Sequence, residues 1–96
     1  MKPSDALAAH RGELRELVAR HGLARARIFG SVVTGTDDDE SDLDLLIDPA
    51  ETTSLFTLAG FKADAEELLG VPVSALTPEA LPPKFRTEVL RQAEPL

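Results

Sequence analysis

The stretch Asp42-Leu43-Asp44-Leu45-Leu46-Ile47-Asp48-Pro49 constrains the fold most: two aspartates one residue apart lead into an apolar run that a proline stops. Leu43 to Ile47 therefore predicts a buried strand that Pro49 cannot continue. Residues i and i+2 of a strand project from one face, which sets the Asp42 and Asp44 carboxylates side by side, their α-carbons roughly 6.5 Å apart. A divalent cation held by such a pair keeps its remaining positions for water and phosphate oxygens, the coordination that magnesium prefers. Ten residues separate Asp42 from the pair Gly30-Ser31, which follows a short β-type run, Ala26 to Phe29. Between them lies a polar loop, Thr34 to Ser41.

The flanking segments read as helices. From Ser4 to Arg20, Leu7, Leu14, Leu17 and Val18 recur at helical spacing among charged residues, with Ser4 or Asp5 as expected caps and Gly22 beyond the end. After Pro49, Thr52, Thr53 or Ser54 can cap a second helix with Leu55, Leu58, Ala65, Leu68 and Leu69 on its apolar side, closed by Gly70. Val71 to Leu76 predicts a third strand, and Pro72, lacking a ladder donor, pushes it to a sheet edge. Thr77-Pro78-Glu79 opens another helical turn, Pro82-Pro83 interrupts, and Phe85, Val89 and Leu90 predict a last short helix.

Ninety-six residues without a second core's worth of apolar sequence predict one domain, residues 1–96. The absence of cysteine excludes disulfides, thiolate metal sites and a thiol nucleophile, and no apolar run approaches the roughly 18 residues that span a bilayer. No signal peptide is visible, and a cytoplasmic protein without membrane contact is the expectation. The formal charge of −7 is unevenly spread: residues 1–30 hold six Lys or Arg against three Asp or Glu, residues 31–96 four against fourteen. That surface argues against direct nucleic-acid binding and favours a basic protein partner.

Competing readings of the Gly30 to Asp48 region fail on single residues. A P-loop beginning at Gly30 needs lysine where Thr36 stands, and a dinucleotide fingerprint needs glycine where Val32 and Val33 stand. A calcium loop from Asp37 needs glycine at Asp42 and glutamate at Asp48. His10 and His21 read as surface residues of the first helix.

The surviving pattern, Gly-Ser, ten residues, Asp-x-Asp, resembles the signature of the DNA polymerase β superfamily of nucleotidyltransferases, carried here by Gly30, Ser31, Asp42 and Asp44. The segments IFGS, SDLDLLID, LFTLAGFKADAEELLGVPV and LTPEALPPKFRTEVLRQAEPL are similar to successive parts of minimal nucleotidyltransferase (MNT) domains, the antitoxins of HEPN/MNT toxin–antitoxin modules. The resemblance implies an α+β nucleotidyltransferase fold, with a small mixed sheet of three to four strands against about four helices. It implies Gly30 and Ser31 at the phosphates of ATP, and Asp42 and Asp44 as catalytic and magnesium-binding residues. It also implies a HEPN ribonuclease partner that receives AMP on a tyrosine, in an oligomeric complex. This chain has no tyrosine, so a tyrosine acceptor must be in trans.

Two positions depart from the family pattern. Thr34 stands where an arginine often follows the turn, and Ser74 aligns with the third carboxylate expected on the next strand. One metal with ATP stays compatible with the residues, whereas the second metal and the general base lose their ligand. Asp48, Glu79 or an acid from Asp37 to Glu40 is a substitute to be tested against geometry, Asp48 being about 13 Å along the strand from Asp44. An impaired enzyme that neutralises its toxin by binding alone is the alternative.

Overall fold

The computed structural model describes residues 1–96. Eight elements and one 3₁₀ turn follow each other as α1 (Pro3–Arg20), β1 (Arg25–Phe29), α2 (Ser31–Thr34), β2 (Leu43–Asp48), α3 (Leu55–Leu69), β3 (Val73–Leu76), the turn Pro78–Ala80, α4 (Pro83–Gln92) and β4 (Glu94–Pro95). The expected α+β class with a four-stranded mixed sheet and four helices is what the chain adopts. No helix is long and apolar enough to cross a membrane.

The sheet order is β3-β2-β1-β4, with β2 central, antiparallel to β1 and parallel to β3. Alternation then divides β2. Leu43, Leu45 and Ile47, all fully buried, join Ala26, Ile28 and Val73 beneath α1 and α3, where Leu7, Leu14, Leu17, Phe61, Ala65 and Leu69 complete one core. Asp44, Leu46 and Asp48 point to the other face. Leu46 is also fully buried, yet lies outside that core, and the turn Pro78–Ala80 packs against its strand.

The third strand lies at the sheet edge, as Pro72 requires, and begins only at Val73. Pro72 still contributes its carbonyl, which accepts the Leu43 N–H at 2.9 Å. The Val73 N–H is taken by the Glu66 carboxylate at 3.0 Å, so part of the exposed edge is closed from within.

Of the three proposed caps for α3, Ser54 is the one used: its Oγ accepts the Thr57 N–H while Thr57 Oγ1 accepts the Ser54 N–H, a reciprocal box. Leu55, expected on the apolar side, is instead 84% exposed, whereas Leu58 packs partly against the core and the buried residues of α3 begin at Phe61.

The caps expected for α1 are not used. Lys2 stands at the cap position without a side-chain bond, and the Ser4 N–H donates to the Asp37 carboxylate at 2.9 Å. A loop residue thirty-three positions away therefore does the work assigned to Ser4 or Asp5. That bond to the helix amide, favouring the charged form, is the main reason the Asp37 carboxyl is held below the ordinary carboxylate value. A depressed folded value means that this stabilisation is full above the unfolded pKa and fades as pH falls through the folded one. Asp37→Asn is expected to lower the melting temperature near neutrality and to leave it unchanged below that acidic window. Thermal melts of both proteins from pH 7 to pH 2 check this.

Candidate active site

Gly30 and Asp44 meet at one end of the sheet, with Ser31 and Asp42 close to them along the chain. Gly30 closes β1 with φ 76° and ψ −148°, a conformation essentially reserved for glycine, and its carbonyl accepts the Val33 and Thr34 N–H groups that start α2. The Ser31 and Val32 amides, at the opening of this short turn, have no intrahelical acceptor. Gly30 is glycine for a second reason: a Cβ there would collide with Oδ2 of Asp44. The turn and the strand aspartate are thus in direct contact across the ladder, where Phe29 pairs with Asp44.

Asp42 is exposed just before β2, and Asp44 is half-buried within it. Burial holds the Asp44 carboxyl above the ordinary carboxylate range, and the charge of Asp42 pushes it the same way. Two like charges, one of them partly desolvated, form a donor set whose repulsion a divalent cation relieves. The residues fit magnesium in that sense. Neither Asp42 nor Asp44 lines a cavity.

Gly30→Ala is expected to destabilise the domain by about 1–3 kcal/mol, from backbone strain together with displacement of Asp44. Denaturant midpoints measure it, and calorimetry with magnesium and ATP should show weakened binding in the folded fraction.

Ser74 lies on β3, the strand next to β2. It pairs with Asp44 in the parallel ladder between β2 and β3, on the same face, so Phe29, Asp44 and Ser74 form one row across three strands. No group of three His, Cys, Asp or Glu side chains comes together that could hold a metal ion.

Four of the substitute carboxylates, Asp37, Asp38, Asp39 and Asp48, are engaged elsewhere, Asp39 lying 3.6 Å from the N-terminal amine. Asp48 receives Arg25 at 2.6 Å and Arg27 at 3.1 Å, both from β1 on the same face. Asp37 caps α1, and Asp38 closes its own loop by accepting the Glu40 N–H and the Ser41 hydroxyl. Glu79 lines a small cavity with Pro49, at the far end of β2. Thr34 offers the phosphates no charge, its hydroxyl being 2.9 Å from that of Thr36.

Sequence reasoning missed the Asp37 cap, for which no local signal exists, and the double arginine clamp on Asp48. The alternation of Arg25 and Arg27 places both on one face of β1 and could have shown that clamp.

The profile of the nucleotidyltransferase domain family matches residues 7–94. Protein adenylyltransferase MntA of Thermococcus cleftensis is 36% identical over 86 residues, which cover 90% of this chain and 84% of that protein. A Methanocaldococcus jannaschii protein, provisionally named a protein adenylyltransferase, is 35% identical over 77 residues, 80% of this chain and 83% of its own length. A solved structure provisionally named a minimal nucleotidyltransferase superposes with a TM-score of 0.85 at 43% identity, over 97% of this chain and 95% of that one. A toxin–antitoxin complex crystallised with AMP-PNP shares the fold at a TM-score of 0.74 and 19% identity, over 88% of this chain and 69% of that one. With a strand-borne carboxylate against a glycine turn, and a family match running from the first helix to the last strand, the chain belongs to the nucleotidyltransferase domain family.

Proposed function

We propose that this single domain is a cytoplasmic MNT-type antitoxin that transfers AMP from ATP to a tyrosine of a HEPN-family ribonuclease toxin. The observation that carries the reading is the contact of Asp44 with Gly30, which brings the cation pair and the phosphate turn together. Support comes from two relatives above 30% identity that carry the name protein adenylyltransferase, and from shared architecture with toxin–antitoxin complexes.

Gly30 and the opening amides of α2 receive the triphosphate, with the Ser31 hydroxyl as a further donor. Asp42 and Asp44 would hold magnesium, which when bound would supply charge neutralisation of the phosphates. The acceptor hydroxyl attacks the α-phosphorus, pyrophosphate leaves, and the hydroxyl proton passes to solvent or to a group of the toxin, because Ser74 is no base. Incubating the protein with its cognate HEPN toxin, magnesium and α-labelled ATP tests the reading. Label on a toxin tyrosine is the expected result; an unlabelled toxin under conditions that label it with the Thermococcus relative overturns it.

The row Phe29, Asp44, Ser74 favours a second reading, in which only two carboxylates remain and the domain neutralises its toxin by binding. Neutralisation by a protein lacking Asp42 and Asp44, in cells where the toxin stays unlabelled, distinguishes it.

A further inference from the structure

The two most exposed large apolar side chains are adjacent. Leu55 and Phe56 are 84% and 90% exposed and are neighbours in the first turn of α3. Most of α3 packs against α1, but its buried residues begin at Phe61, so the first turn overhangs the core. The backbone that carries them is held in place. The Ser54–Thr57 box fixes the helix start, and the turn before it is closed by the Thr53 N–H on the Ala50 carbonyl and the Ala50 N–H on the Thr53 hydroxyl. A pair of large apolar side chains projecting from a capped helix end has the form of an interface anchor.

Charge decides what covers it. Glu51 lies on the closed turn beside the pair, and Glu79 shares a cavity with Pro49 at the same end of β2. Neither carboxylate is in an ion pair. The nearby Arg86 is committed to the carbonyls of Pro78, Glu79 and Leu81, and Lys84 lies over the Phe85 ring. A second copy of this chain would bring another charge of −7 to an acidic surface.

We infer that Leu55 and Phe56, with Glu51 on the turn before them and Glu79 at the same end of β2, form the docking knob for a basic protein partner with an apolar groove bordered by Lys or Arg. Resting on the function proposed above, that partner is the toxin. The surface follows the C-terminal end of β2, whereas Asp42 and Asp44 lie at its N-terminal end, about 13 Å of strand separating Asp44 from Asp48. Docking and chemistry are therefore separate, and the acceptor tyrosine reaches the carboxylates from a part of the partner other than the groove.

Isothermal titration of the 96-residue chain and its Phe56→Ser variant against the purified cognate toxin tests this. Loss of an aromatic anchor is expected to weaken the complex about 30-fold or more, while the isotherm for magnesium and ATP stays unchanged. Glu51→Lys should slow association and flatten its salt dependence. A dissociation constant within about threefold of the parent overturns the inference. So does sedimentation showing a homodimer of the free chain that Phe56→Ser dissolves. A complex that forms through Phe56 but is never labelled leaves the docking surface standing and defeats only the transfer reading.

Discussion

Asp44→Asn is expected to reduce AMP transfer by at least about a thousandfold while leaving the domain folded and at neutral pH no less stable. The loss follows from the charge that a bound magnesium ion has to find: an amide is a weaker donor, and a metal's stabilisation of a phosphoryl transition state is worth several kcal/mol. The retained stability follows from the environment. Burial and the Asp42 charge hold the Asp44 carboxyl above its ordinary range, so its ionised form is disfavoured in the folded protein without metal. In the interval between the unfolded and the raised folded value, the native state binds the extra proton. Stability therefore rises as pH falls through that interval, and Asp44→Asn removes the rise. Transfer assays with labelled ATP check the first half, and melts from pH 7 to pH 4 in chelator check the second. A variant that lost activity and unfolded together would mean that Asp44 is a structural residue.

That opposition between stability and chemistry was visible in the sequence only as spacing. Asp42 and Asp44 alternate with leucine before a run that has to be buried, so one face had to carry carboxylates at the edge of an apolar sheet. Pro72 was equally legible, because a missing N–H has one tolerable place beside a central strand. Elements too short to show a period were not: α2 has four residues and β4 two, and both are fixed by tertiary contacts rather than by pattern. Side-chain partners were least legible. Asp48 could be tested as a third ligand only once the β1–β2 register set it opposite Arg25. Asp37 read as one acid in a solvated run until the loop met the start of α1. Leu55 fitted the helical period and still lies outside, since periodicity gives a helix its apolar side but not the length over which a neighbour covers it.

Ser74→Asp is expected to raise transfer by about 10²–10⁴-fold, the usual contribution of a positioned general base. The gain depends on register. Ser74 is the parallel-ladder partner of Asp44, so its side chain leaves the same face about 4.8 Å away, the spacing of adjacent strands. A carboxylate there completes a cluster of three with Asp42 and Asp44, suited to a second metal or to drawing the proton from the acceptor hydroxyl. The same closeness carries a cost without metal, because a third negative charge beside Asp44 adds repulsion in a partly desolvated place. The variant should therefore melt lower than the parent in chelator and gain more from added magnesium, a pairing that a merely better-packed β3 would not give. Single-turnover labelling of the toxin and melts with and without magnesium measure both effects. If metal-linked stabilisation appears without faster transfer, the deficit lies in Thr34, where the phosphates lack a cation, and the double variant Thr34→Arg with Ser74→Asp becomes the deciding protein. If neither effect appears, Ser74 does not share a site with Asp44, and the row of residues across the sheet has no catalytic meaning.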